Sequence, residues 1–180
     1  MLNITDTHLH LWDLSKLNLP WVNEVEVLNR SFLLSDYALA NQGQSVNKAV
    51  YMEVNVDALQ RSLEADTVLA LCEQSDNPLV GVVMAADMTQ SEQALEQTLT
   101  PYLNNHYLKG VRDVLHTPQT PSGYCLQESF INRVRQLGKH GLNFGICIRP
   151  AELADAVSLV KACPDTLFVL DHCGNADPTI

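Results

Sequence analysis

Six short apolar runs, rich in Val, Ile and Leu and separated by helix-like segments, constrain this chain more than any other feature. They extend from Leu2 to His10, Lys48 to Val54, Leu79 to Ala86, Leu108 to Leu115, Leu142 to Ile148 and Thr166 to His172. From the second run onward the starts lie 24 to 34 residues apart, about the length of one strand, one helix and two loops. This alternation is the pattern of β-α units around a parallel sheet. The intervening segments carry apolar stripes at helical spacing: Leu95, Leu99 and Tyr102; Phe130, Val134 and Leu137; Leu153, Val157 and Val160. Boundary residues agree with them. Ser91 can cap the first, Gly141 follows the second, and Pro150 can open the third with Pro164 just past its end.

With 180 residues, 46% hydrophobic and 18% charged, the chain can bury a core as one domain over residues 1–180, and disorder is excluded. The net charge of −10 repels a nucleic-acid backbone or an anionic membrane, leaving a small molecule as the expected partner. An anionic one remains compatible if the few cations gather in one cleft. Five cysteines with no C-x-x-C pair argue against a disulfide framework or a zinc ribbon. The N-terminus has no basic region before an apolar run, and no stretch approaches the ~18 apolar residues of a membrane span, so a cytoplasmic protein is expected.

Trp12 to Asn47 is too long for a simple β-α connection. It holds Trp12, Trp21 and Phe32, and so reads either as a functional loop or as an aromatic plug for one end of the sheet. The sharpest chemical feature is Asp6-Thr7-His8-Leu9-His10. Side chains two apart on a strand share a face, so His8 and His10 can converge on one metal ion or one substrate oxygen. Other strand ends carry polar groups as well: Glu53, Arg112, Arg149 and Asp171-His172. Imidazoles polarise a carbonyl or hold a metal, while the guanidinium groups of Arg112 and Arg149 hold a carboxylate or an oxyanion. His106, His116 and His140 read as ordinary surface residues, Cys147 and Cys173 as buried small hydrophobes, and no Cys-His pair is suggested by the spacing. Phosphate loops, G-x-S-x-G elbows and basic-aromatic patches are absent.

Asp6-Thr7-His8-Leu9-His10-Leu11-Trp12-Asp13, Lys109-Gly110-Val111-Arg112 and Phe168-Val169-Leu170-Asp171-His172-Cys173-Gly174 together resemble the amidohydrolase-related proteins of the L-fuconolactonase and 2-pyrone-4,6-dicarboxylate lactonase type. The resemblance runs from residue 3 to the end and implies a TIM-type (β/α)₈ barrel. It also implies hydrolysis of a lactone or related cyclic ester in sugar or aromatic-acid breakdown, with water attacking the carbonyl. Carried over, His8, His10 and His172 are the catalytic imidazoles, Arg112 contacts the substrate, and Glu53 matches a strand-two glutamate of the group. The implied cofactor is either none or one divalent metal, zinc or manganese, on His8, His10 and His172. Two departures stand out. Gly174-Asn175-Ala176 replaces a common Gly-Lys-Pro, and the seventh and eighth strands, with the aspartate that serves as general base, have no counterpart before Ile180. Asp6 and Asp171 are the substitutes by default.

About six of eight units are therefore expected. Three alternatives to a lactonase follow: a metal-dependent decarboxylase of the same superfamily, a fragment without catalysis, and a small-molecule binding module. An open barrel would expose the edges of strands one and six and invite association or homo-oligomer formation.

Overall fold

A computed structural model describes residues 3–179; Leu2, with which the first expected strand begins, and Ile180 lie outside them. The chain divides into two compact units, one comprising residues up to Ala85 with His106–Leu108, the other Ala86–Asn105 with the residues from Lys109 onward.

In the first unit, β1 (Ile4–Leu9), β2 (Val46–Met52) and β3 (Leu79–Ala85) pair in parallel in chain order. Parallel strands buried on both faces read as continuous apolar runs, and β3, LVGVVMA, is one. The helix α1 (Leu34–Ala40) lies within the long connection, and α2 (Arg61–Cys72) joins β2 to β3. α2 turns Ala65, Val68, Leu69 and Cys72 inward, and Glu64 with them. The Glu64 carboxylate is accommodated because Oε1 accepts from the Val54 amide at 2.7 Å and the Tyr51 hydroxyl at 2.9 Å. The aromatics of the long connection are packing residues. Trp12 pairs with Phe32 in an antiparallel bridge and stacks edge-on against Trp21, whose indole donates to the Val54 carbonyl at 2.8 Å.

In the second unit, β4 (Leu108–Val114), β5 (Asn143–Cys147) and β6 (Phe168–Leu170) are likewise parallel and consecutive. The helices α3 (Glu92–Leu99), α4 (Glu128–Lys139) and α5 (Leu153–Ala162) lie between them in the chain. The Ser91 hydroxyl caps α3 by accepting from the Ala94 amide, and Gly141 leaves α4 at φ +70°. The Phe130, Val134 and Leu137 stripe is buried as expected.

Two expectations need correction. On α5 the buried stripe is Glu152, Ala156, Leu159 and Cys163, whereas Val157 and Val160 are exposed. LADAVSLVKA is apolar on most sides, so periodicity does not choose a face. Glu152, the first residue of the buried stripe, is held by Arg149 at 2.6 Å just before the helix. The sixth strand is also shorter than Thr166 to His172. Thr166 lies in a turn with its hydroxyl on the Val134 carbonyl at 3.0 Å, and His172 lies beyond the strand end.

Candidate functional site

The strand ends of each unit gather the chemistry separately. In the first, His10 follows β1 and its Nδ1 lies 3.0 Å from the Met52 carbonyl at the end of β2. A carbonyl only accepts, so Nδ1 carries the proton and Nε2 keeps its lone pair. His8 Nε2 stands 3.0 Å from that Nε2, the two rings edge to face. Imidazole nitrogens bind zinc at about 2.0–2.1 Å, so a 3.0 Å separation corresponds to two adjacent ligands subtending about 90° at one ion. Since His10 Nε2 holds a lone pair, the bond between the two is donated by His8 Nε2. The spacing is one that two ligands of a single divalent ion can take, and a backbone carbonyl on the far nitrogen is the kind of partner that fixes the orientation of such an imidazole. Among the described residues no group of three or more His, Cys, Asp or Glu is gathered as a metal site.

Asp6 is turned to other work. Its carboxylate accepts from the His8 amide at 3.1 Å and from the Tyr37 hydroxyl of α1 at 2.9 Å. Burial, then the bond to Asp6, push the Tyr37 hydroxyl up to about 12. Glu53, 1% exposed just past β2, accepts from the Asn55 amide at 2.7 Å and so stabilises a turn in which Asn55 takes φ +52°.

In the second unit Arg112 lies on β4 beside Gly145 of β5, and its Nη1 donates to Asp171 Oδ2 at 3.0 Å. A Cβ at Gly145 would lie 3.4 Å from Cβ and Cγ of Arg112, so the glycine packs against the aliphatic stem of that side chain. Both side chains are buried. Beyond Asp171 the chain makes a left-handed turn: His172, Cys173, Gly174 and Asn175 all have φ between +50° and +74°. Non-glycine residues pay about 1–2 kcal/mol each for that conformation. It is held by the Gly174 amide on the Asp171 carbonyl at 2.8 Å, the Asn175 side-chain amide on the Ile148 carbonyl at 2.8 Å, and the Arg112 pair. His172 is thereby exposed, and Cys173 is exposed rather than buried as expected, because the turn reverses the alternation of the strand.

Arg149, just past β5, is engaged by the chain itself. It bonds the Glu152 carboxylate through Nε and Nη2, and the Thr117 and Thr120 carbonyls through Nη1 and Nη2. Glu152 also accepts from the Gly123 amide. Together the two side chains pin the connection between β4 and α4.

His116 is the residue that sequence reasoning missed. It is exposed, as a surface histidine would be, but its Nδ1 lies 3.3 Å from Sγ of buried Cys147 at the end of β5. A Cys-His pair therefore exists despite the sequence separation. The signal that could have found it is position: like His10, His116 stands immediately past an apolar strand run. His140, by contrast, bonds Glu96 at 2.8 Å away from the strand ends. The five cysteines are free, and no helix among the described residues is long and apolar enough to cross a membrane.

Residues 5–179 match the family model described as Amidohydrolase. Among solved structures the fold is similar to an amidohydrolase 2 from Bifidobacterium longum subsp. infantis, with TM-score 0.75 and 24% identity over 100% of this chain and 65% of that one. It is similar also to an amidohydrolase from Burkholderia multivorans with bound zinc, with TM-score 0.78 and 19% identity over 96% and 58%. A probable 2-pyrone-4,6-dicarboxylic acid hydrolase from Acinetobacter baumannii, with citric acid bound, matches with TM-score 0.71 and 14% identity over 98% and 61%. The chain thus spans about 60% of the length of these structures.

Proposed function

The chain belongs to the amidohydrolase family, a family of enzymes with a TIM-type barrel fold, and on that premise we propose that it serves hydrolysis of a lactone or related cyclic ester. The observation that supports this reading most is the His8–His10 pair, with His10 fixed as the Nδ1–H tautomer by the Met52 carbonyl. The Nε2 lone pair of His10, beside Nε2 of His8, suits a divalent ion, while a substrate carbonyl oxygen would accept a hydrogen bond from His8 Nε2–H alone. When bound there, zinc or manganese would polarise the carbonyl and lower the pKa of water. His8 and His10 would hold it, and the resemblance adds His172.

The residues themselves bind and orient. Arg112, kept in place by Asp171, presents a guanidinium of fixed direction for a carboxylate. An anionic lactone is accordingly the substrate class proposed, in keeping with the citric acid bound in the Acinetobacter protein. Glu53 and Arg149 act behind the substrate, by fixing the turn after β2 and the connection after β4.

The test is ring opening of a panel of sugar and dicarboxylate lactones followed by proton release, with and without added zinc or manganese. Hydrolysis that falls at least 100-fold in His10→Ala and in His8→Ala supports the reading. Absence of ring opening for every lactone, or hydrolysis unchanged in His10→Ala, overturns it; release of carbon dioxide would move the reading to a decarboxylase.

A further inference from the structure

The imidazole pair stands on an irregular stretch of β1. Asp6 pairs with Ala49 and Leu9 with Tyr51, so three steps along β1 meet two along β2, and His8 lies in the interval that holds the extra residue. A strand with one residue too many bends there and re-aims its side chains. Two residues of a regular parallel strand advance about 6.6 Å, whereas the ring centroids of His8 and His10 are 4.8 Å apart and their Nε2 atoms 3.0 Å. The rings are thus closer than the repeat of a straight strand, and their spacing depends on what holds the bend.

The holding groups come from the long connection. Asp6 accepts with both oxygens: Oδ1 from the His8 amide at 3.1 Å, and Oδ2 from the Tyr37 hydroxyl of α1 at 2.9 Å. The bond to the amide two residues on is an Asx turn, which acts directly on the backbone at His8; the second bond fixes the plane of the carboxylate. On the other side of the pair stands Trp12, two residues past His10. Its amide donates to the Phe32 carbonyl at 2.9 Å, its carbonyl accepts from the Phe32 amide at 2.8 Å, and its indole donates to the Arg30 carbonyl at 2.7 Å. Phe32 lies two residues before α1, whose start is fixed by the Leu33 amide on Asp36 Oδ2 at 2.8 Å. One short segment, residues 30–37, therefore grips β1 before His8 and the chain after His10.

We propose that residues 30–37 form a clasp that sets the spacing of His8 and His10 for one divalent ion, with Tyr37 as its positioning residue, acting through Asp6. This role rests on the part of the reading above that gives the pair an ion, and not on which ring is opened. It also gives a use to a connection longer than a β-α unit needs. Two imidazoles hold one ion only if both nitrogens reach about 2.0–2.1 Å from it at once. Loosening the clasp lets His8 turn away, while His10 is held separately by the Met52 carbonyl at 3.0 Å. Groups that orient metal ligands in this way are worth about 10- to 100-fold in affinity.

Zinc affinity of the full chain, measured by competition with a chromogenic chelator, tests this without any substrate. The binding that His8→Ala and His10→Ala remove identifies the site. Asp6→Ala should weaken it about 10- to 100-fold, and Tyr37→Phe at least about threefold, as befits one hydrogen bond. Asp6→Asn, whose Oδ1 still accepts from the His8 amide, should stay within about threefold of the parent. Asn77→Ala deletes bonds to Leu71, Gln74 and Leu79. It should destabilise the same unit from the opposite ends of the strands and leave zinc affinity unchanged. Parental affinity in Tyr37→Phe or in Asp6→Ala overturns the inference. So does a loss equal to that of Asp6→Ala in Asn77→Ala, which would make the effect one of general stability, or in Asp6→Asn, which would make it one of charge. A parent that binds no zinc at the pair overturns it as well, and leaves the hydrolytic reading intact if lactones are still opened. Zinc binding that depends on Asp6 and Tyr37, in a parent that opens no lactone, upholds the clasp and removes the hydrolytic reading.

Discussion

Replacing Asp171 with Ala should be among the most damaging single changes in the second unit. The Arg112–Asp171 pair is 3.0 Å long, with side chains 5% and 1% exposed. At that distance the attraction is about 5–6 kcal/mol for an effective dielectric of ~20, and in the intact protein much of it offsets the cost of burying two ions. Removal of Asp171 leaves the desolvation of Arg112 in place and deletes its partner, for which a loss of ~3–5 kcal/mol is typical. The measurement should be specific to the unit. Both tryptophans, Trp12 and Trp21, belong to the first, so amide exchange at Leu115 and Phe144, each bonded within the second, is the better probe than fluorescence. Protection there should fall roughly 100- to 4,000-fold, at about 1.4 kcal/mol per tenfold. The double variant Arg112→Met/Asp171→Leu removes both charges and should recover most of the loss. A loss below about 1 kcal/mol in Asp171→Ala, or a double variant no better than the single one, would refute the argument that a buried guanidinium deprived of Asp171 is the cause.

Gly174→Ala should destabilise the same unit by more than the ~1 kcal/mol of a positive φ alone, because φ is +74° and the new Cβ would meet Leu153 Cδ2 at 2.6 Å; a melting temperature unchanged within 1 °C would contradict it. The Arg149 guanidinium holds the Glu152 carboxyl below its usual range. The clamp is therefore at full strength above the ordinary glutamate value of about 4.3 and is lost as pH falls through the lower value of the folded protein. Amide exchange at Gly123, corrected for intrinsic rate, should accelerate in that acid window in the parent and show no such pH step in Glu152→Gln. Tyr37→Phe deletes the donor to Asp6 and should cost about 1 kcal/mol in urea unfolding of the first unit. In the parent, the phenolate absorbance of Tyr37 should not develop until pH approaches about 12, and its appearance near 10 would show the bond to be absent.

β3 was legible because a parallel strand covered on both faces must be apolar almost without interruption. α4 was legible for the complementary reason: its polar residues leave one possible face, and Phe130, Val134 and Leu137 are completely buried on it. α5 has no such contrast, and the first residue of its buried stripe is held by an ion pair that precedes the helix. The His8–His10 pair was legible because both partners lie within one strand end. His116 and Cys147 are separated by 31 positions, and only the pairing of β4 with β5 brings them together. Arg149 shows the converse difficulty. A guanidinium at a strand end reads as free for an anion, and nothing in the sequence states that two loop carbonyls and Glu152 occupy it.

The departure at Gly174-Asn175-Ala176 also acquires a physical account. The turn after β6 requires positive φ at four consecutive positions, and glycine and asparagine are the residues that reach that region at least cost. Asn175 contributes in addition a side-chain bond to the Ile148 carbonyl, which a lysine could not form with the same short reach. The turn in turn starts from Asp171, whose amide is bonded to Ile146 and whose carboxylate is bonded to Arg112. The residue before His172 is thus tied to Arg112, 60 positions before His172 on β4, whose aliphatic stem lies against Gly145. On this account Arg112→Ala, which removes the bond to Asp171, should loosen the strained turn and be seen as faster amide exchange at Gly174.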